Sequence, residues 1–194
     1  MLIKNKQHLF IVGIVLLASW QIVTGAYIQV KAYVAQQLLV SAWEQTLSGN
    51  KKVKPWSWAD TWPIARLQVP ALNEDMIILA GDSGRTLAFG PGYQFGSAQP
   101  GSLGVSIISA HRDTHFRFLK NIKGGDEIKI QTDKGETLVY QVTGMQVADK
   151  AAAQIDFDTT TSELVLVTCY PFNALQTGTR LRYLVYATEK NKTL

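Results

Sequence analysis

The chain has 194 residues, 46% of them hydrophobic, and 19 Lys and Arg against 15 Asp and Glu give it a net charge of +4. Because this charge is mild and the basic residues are scattered, the composition argues against a nucleic-acid partner. The single cysteine excludes an internal disulfide and a cysteine-based zinc cage, and the length allows one domain behind an N-terminal segment.

The N-terminal segment predicts a membrane span. Residues 7–30 contain no Asp, Glu, Lys or Arg, and the most apolar part, 9–28, has the length that a helix needs to cross a bilayer. Lys4 and Lys6 precede it, so the short tail should stay in the cytoplasm. A signal peptide cleaved near Thr24-Gly25-Ala26 is the alternative. We favour the uncleaved anchor because apolar residues continue beyond this point, and either interpretation predicts an exported domain.

An amphipathic helix and a linker are expected after the span. The helix covers 29–48 and ends at Gly49. The linker, 50–62, is rich in lysine and tryptophan. The predicted division is therefore a cytoplasmic tail at 1–8, an anchor at 9–28, a helix and linker at 29–61, and a catalytic domain at 62–194. The residues expected on the apolar face of the helix are Val30, Tyr33, Val34, Leu38 and Ala42.

The remainder is a series of short apolar runs separated by turn signals such as Gly90-Pro91-Gly92 and Asp133-Lys134-Gly135. About eight short strands without an alternating strand–helix rhythm predict an all-β barrel or sandwich. Phe116–Leu119 is expected to form one helical turn. The strands are placed at 64–69, 76–79, 104–110, 127–131, 137–147, 164–168 and 182–188.

Cys169 is the first residue with chemical interest. Free cysteines are often buried structural residues. This one ends a β-branched run and stands two residues before Pro171, which places it at the end of a strand, where a substrate can reach it. His111 also follows a buried strand, and Arg180 and Arg182 share one face of the last strand by its period of two. A thiolate nucleophile, an imidazole acid and a guanidinium for the oxyanion together suggest thiol-based acyl transfer.

Two other interpretations of the histidine segment are weaker. His111 and His115 are four residues apart, as metal ligands on one helix face can be, but the glutamate of the metalloprotease motif and a third ligand are missing. We therefore predict no metal site. Asp113 could orient a histidine, although capping the turn is the favoured role.

Four stretches stand in order around the candidate residues: His111-Arg112-Asp113-Thr114-His115-Phe116 with Leu119, Gly124 with Asp126, Tyr140-Gln141-Val142, and Leu166-Val167-Thr168-Cys169 with Tyr170-Pro171-Phe172. Together they resemble the sortase family of membrane-anchored cysteine transpeptidases, in particular the type of marine Gram-negative proteobacteria. The resemblance covers residues 62–188. Ala110 replaces the glycine that usually precedes the family histidine, and Val165 stands where many members have Thr.

The resemblance implies a closed eight-stranded β-barrel and a sorting signal of Leu-Pro-x-Thr-Gly type as substrate. Cys169 would attack the Thr carbonyl, and His111 would protonate the departing glycine amine. Arg182 would stabilise the oxyanion, because the family arginine stands five positions before a small residue, here Ala187; Arg180 is the second choice. Thr168 is a candidate for binding substrate backbone. No cofactor is implied.

The same resemblance implies a single-pass protein of the inner membrane with its catalytic domain in the periplasm. Its partners would be a target protein with a C-terminal sorting signal and an amine acceptor of unknown identity. Residues 148–163, with a helical turn at Ala151-Ala152-Ala153, are expected to form a wall of the peptide groove. The alternatives are a non-catalytic, membrane-tethered peptide-binding barrel and a thiol hydrolase that only trims its target.

Overall fold

The computed structural model describes residues 2–151, 159–174 and 178–190, which form one long helix, eight strands and short helical turns. The helices are α1 (Leu2–Leu47) and the one-turn α2 (Gly84–Leu87), with 3₁₀ turns at Pro70–Leu72 and Arg117–Asn121. The strands are β1 (Pro63–Val69), β2 (Glu74–Ala80), β3 (Gly92–Tyr93), β4 (Gly104–Ser109), β5 (Glu127–Thr132), β6 (Thr137–Asp149), β7 (Ser162–Cys169) and β8 (Leu181–Glu189).

The chain divides into two units, Met1–Gln37 and Leu38–Leu194. The first consists of most of α1, which has a stretch long and apolar enough to cross a membrane by length and composition. Large apolar side chains of this stretch, such as Phe10 and Trp20, are exposed. The expected N-terminal apolar helix is therefore present, whereas the division at 8, 28 and 61 stays a prediction.

The last turns of α1 belong to the second unit and pack on β2. Leu39 and Trp43 are one helical turn apart and contact Ile77 and Leu79 on the outer side of that strand. This corrects the predicted apolar face, of which only Ala42 is buried. The long apolar run of this helix offers more than one stripe, and tertiary packing selects among them. The predicted residues that remain exposed are Val30, Tyr33, Val34 and Leu38.

The eight strands close into a barrel in the order β1-β2-β3-β4-β7-β8-β6-β5, which confirms the predicted closed eight-stranded fold. β4 and β7 pair in parallel, and β8 pairs antiparallel with β7. Consequently β4 and β7 end at the same edge of the barrel, and β8 begins there. The seven strands placed from sequence have ends within two residues of those observed.

The eighth strand, β3, lies where the sequence predicts only a turn. Its two residues pair in parallel with β2 and antiparallel with β4. A Cβ atom at Gly92 would come within 2.4 Å of the Gly81 carbonyl oxygen, so only glycine fits this close approach. A strand of two residues is too short to show alternation, which is why the pattern missed it.

Side chains alternate between the barrel interior and its outer surface. On β7, Leu164 and Leu166 belong to the interior cluster. Val165, between them, packs outside the barrel in an apolar strip across neighbouring strands. We call this the outer strip; its members are Val105, Ile107, Val165 and Leu184, with the half-buried Ala148, Val167 and Tyr186 at its margin.

The linker after α1 is held to the barrel by some of its tryptophans. The ring of Trp56 meets Phe89 edge-on, with 4.8 Å between centroids. The ring centroids of Trp62 and Phe95 are 6.3 Å apart. Trp58 is 83% exposed and therefore takes no such part. Packing thus accounts for two of the three linker tryptophans.

Candidate active site

The three residues expected to carry the chemistry lie at one edge of the barrel. Ser109, the last residue of β4, pairs with Val167 of β7, two residues before Cys169. Cys169, the last residue of β7, lies directly opposite Arg182 near the start of β8. The strand register therefore brings the ends that hold His111, Cys169 and Arg182 together.

Cys169 lies on the outer side of the barrel. It is in phase along β7 with Val165 and Val167 of the outer strip, while Leu166 points inside. The thiol-bearing residue is half-buried, so it borders apolar surface and is still open to a ligand.

His111 is exposed and follows directly on Ala110, which packs into the barrel interior. The Ala110 N–H donates to the Val167 carbonyl at 3.1 Å. Ala110 is not among the residues with positive φ, so the backbone here does not require the glycine that the resemblance leads one to expect. The replacement is thus compatible with the local structure.

His115 differs from His111 in its surroundings. Burial, and then the charge of His111, lowers the pKa of His115 from its ordinary value. The imidazole of His115 is therefore poorly suited to carry a positive charge near the site. His111 is the exposed histidine of the two and lies two residues beyond the end of β4, next to the end of β7.

The two candidate arginines point to different partners. Arg182 donates from Nη1 to the carbonyls of Thr179 (2.5 Å) and Leu181 (2.9 Å), which holds its guanidinium beside the start of β8. A guanidinium has five N–H donors, so other donors of the fork remain for a ligand. Arg180 precedes the strand and its Nε lies 3.2 Å from Asp149 at the end of β6. β8 begins at Leu181, so Arg180 lies just before the strand, and the expectation that both arginines share one face stays a prediction.

Asp149 explains where Arg180 is held. The Ala151 N–H and the Arg180 guanidinium keep the pKa of the Asp149 carboxyl below its usual range. The Lys150 N–H also donates to the Arg180 carbonyl at 2.9 Å. These contacts tie Arg180 to the end of β6, whereas Arg182 is the residue of β8 that pairs with Cys169.

Thr168 has a partner inside the protein. Its side chain is buried, and Oγ1 donates to the Ala110 carbonyl at 2.7 Å. The geometry does not favour the expected contact between this hydroxyl and substrate, because β7 turns Thr168 inward and Cys169 outward. The hydroxyl instead joins the cysteine strand to the residue before His111.

We expect Thr168→Val to lower the free energy of unfolding by about 1–3 kcal/mol, since it leaves the Ala110 carbonyl without this donor. Denaturant titration of the full chain in detergent measures the change. Thr143→Val is the matched control, because the Thr143 hydroxyl makes a longer, exposed bond of 3.3 Å to the Tyr186 carbonyl. A raised KM for peptide with unchanged stability would instead support substrate binding by Thr168.

The segment after Cys169 is packed by aromatic rings. The ring of Tyr170 stacks on that of Tyr183 with 6.1 Å between centroids, and the ring of Phe172 meets Tyr183 edge-on with 5.3 Å between centroids. Burial, and then the neighbouring Tyr170, raises the pKa of Tyr183.

The segment after Cys169 also accepts hydrogen bonds from Arg112, a buried residue that sequence reasoning missed. Nothing in the sequence distinguishes this arginine from a solvated one.

One expectation falls on undescribed residues. The predicted groove wall, 148–163, and its turn at Ala151-Ala152-Ala153 extend over residues 152–158, which lie outside the described part of the chain. Both stay predictions.

Residues 67–190 match the family model described as "Sortase domain". The chain belongs to the sortase family. This sortase is 31% identical over 121 residues to Sortase D of Bacillus subtilis (strain 168), a match that covers 62% of this chain. It spans 60% of the length of that relative.

Solved structures agree with this membership. Sortase A from Corynebacterium diphtheriae is 28% identical, with a TM-score of 0.63 over 75% of this chain and 68% of that one. A Clostridium perfringens Sortase D5 transpeptidase is 21% identical, with a TM-score of 0.64 over 81% of this chain and 99% of that one, a likeness that concerns the fold alone.

Proposed function

We propose that this sortase is a membrane-anchored cysteine transpeptidase. It cleaves a sorting signal of Leu-Pro-x-Thr-Gly type between Thr and Gly and transfers the target protein to an amine. The single observation that carries the proposal is the register of β7 and β8, in which Cys169 lies opposite Arg182 at the barrel edge where the strand leading to His111 ends.

The chemistry has two halves. The thiolate of Cys169 adds to the Thr carbonyl, and the Arg182 guanidinium stabilises the negative oxygen that forms. The C–N bond to glycine then breaks as the His111 imidazolium gives its proton to the leaving amine, which leaves a thioester on Cys169. An amine attacks this thioester, passes its proton to His111 and releases the thiolate.

The half-buried margin of the outer strip supports an extended peptide as substrate. Val167 lies on the same side of β7 as Cys169, and the half-buried Tyr186 lies on the same side of β8 as Arg182. The four central members of the strip are buried, so it is this margin that is open to apolar side chains of a bound peptide, while the scissile carbonyl meets the polar end. The Leu and Pro of a sorting signal fit such a surface.

The N-terminal helix supports an envelope location. A stretch of α1 has the length and composition of a membrane span. With the two lysines of the tail on the cytoplasmic side, the catalytic domain lies in the periplasm and the anchor in the inner membrane. The partners are a target protein with a C-terminal sorting signal and an acceptor amine.

We expect a Leu-Pro-x-Thr-Gly peptide to form a thioester on Cys169 and then a new amide with an added amine. Intact-protein mass spectrometry after acid quench detects the thioester, and the mass of the released peptide separates transfer from hydrolysis. Hydrolysis at saturating amine would indicate a trimming thiol hydrolase. Binding of the peptide without a thioester would indicate the non-catalytic peptide-binding barrel.

A further inference from the structure

Arg112 is a buried arginine directly after His111, with its side chain only 3% exposed. Nη1 donates to the Pro171 carbonyl and Nη2 to the Ala174 carbonyl, each at 2.8 Å. Nε lies 3.4 Å from the carboxylate of the exposed Asp113. Both carbonyl partners belong to the segment that follows Cys169.

Burial of a guanidinium costs free energy unless its donors are well paired. An apolar side chain could fill the same space without that cost, so the fork-shaped donor set suggests a geometric task. Arginine suits such a task because its donors are fixed in one plane and can bind two acceptors at once. Here the acceptors are carbonyls three residues apart on one segment.

These contacts enclose the catalytic pair from two sides. On one side, Ala110 is bonded to Val167 and Thr168, just before Cys169. On the other side, Arg112 is bonded to the segment just after Cys169. His111 therefore lies between Ala110 and Arg112, the two residues that make these hydrogen bonds. Cys169 lies between their partners, Val167 and Thr168 before it and Pro171 and Ala174 after it.

We propose that Arg112 is a positioning residue that fixes His111 relative to Cys169. It acts through the backbone on both sides of the pair and does not touch the reacting atoms. The inference rests on the proposed function for the roles of His111 and Cys169, and on the hydrogen bonds of Ala110 and Arg112 for the positioning.

The test compares Arg112→Met with Leu67→Ala in the full chain in detergent. Arg112→Met keeps much of the side-chain bulk and removes the donors. Leu67→Ala loses stability at a buried interior position of β1, a strand that neighbours neither β4 nor β7. At a temperature where both are folded, we expect kcat of Arg112→Met to fall about 10- to 100-fold with little change in KM. We expect the control to stay within about twofold.

A second measurement needs no peptide. The rate at which iodoacetamide alkylates a cysteine depends on its thiolate fraction, which a nearby imidazolium increases, so the rate for Cys169 reports whether His111 is held close to it. We expect Arg112→Met to change this rate toward that of His111→Ala, and Leu67→Ala to leave it unchanged. If the wild type turns over no peptide, the proposed function fails, while the alkylation comparison still decides the role of Arg112.

Arg112→Lys provides a conservative variant and replaces Arg112→Met if the latter does not fold. An ammonium keeps the charge but lacks the planar fork, so we expect kcat and alkylation rate between those of wild type and Arg112→Met. The inference is overturned if the folded Arg112 variants keep wild-type kcat and alkylation rate, or if Leu67→Ala loses as much of both.

Discussion

Replacement of Cys169 by alanine is expected to reduce peptide cleavage on the order of 10⁶-fold, to the background rate, because no other thiol can form the thioester. The fold should be unaffected. Cys169 is half-buried at the end of β7 on the outer side of the barrel, so its sulfur fills no interior space. Chromatography of the peptide products and thermal denaturation of the same sample measure both effects.

Two controls sharpen this result. Cys169→Ser replaces the sulfur with a hydroxyl oxygen in a side chain of similar size and should be nearly as inactive, since a hydroxyl is far less acidic than a thiol. Wild-type protein treated with iodoacetamide should also be inactive, because the chain has one cysteine to modify. Cleavage that survives in Cys169→Ala would refute the proposed mechanism.

The second large effect is expected at Arg182. Arg182→Ala should lower kcat/KM about 10²- to 10³-fold, the usual loss when an oxyanion-stabilising donor is removed. Arg180→Ala should stay within about threefold of wild type, because its exposed guanidinium pairs with Asp149 at the end of β6. Steady-state kinetics of both variants with the same peptide provide the comparison.

The arginine pair is a well-matched control. The two residues have the same side chain and stand two positions apart, but the register places only Arg182 opposite Cys169. Arg182→Lys should recover little activity, because a single ammonium does not reproduce the planar fork. A larger loss for Arg180→Ala than for Arg182→Ala would reverse the assignment.

The strands could be predicted because period-two alternation is a local property of the sequence. Runs such as Ile64–Val69 show the alternation, and Pro70 marks the end. β3 could not be found in this way, since its two residues are held by β2 and β4 and not by their own pattern. Pairing partners and register are likewise non-local, so closure of the barrel followed from the resemblance and not from spacing.

The candidate site likewise has residues that local sequence patterns identify and contacts that depend on strand pairing. Cys169 and His111 could be identified because each follows a recognisable buried strand. The sequence could not tell that Thr168 bonds to Ala110 or that Arg112 is buried, because both facts depend on how β4 and β7 lie side by side. The different partners of Arg180 and Arg182 depend on where β8 begins, a boundary that alternation fixes only to within a residue or two.

The pairing of Cys169 with Arg182 has an evolutionary consequence. Backbone hydrogen bonds of β7 and β8, such as that from the Tyr170 N–H to the Leu181 carbonyl at 3.0 Å, set the spacing of these two residues. The sheet therefore sets the spacing of the two strand ends, whereas the connection orients the Arg182 guanidinium through the Thr179 carbonyl. Under the proposed function, evolution can alter the aim of the guanidinium through this connection while the strand ends keep their spacing.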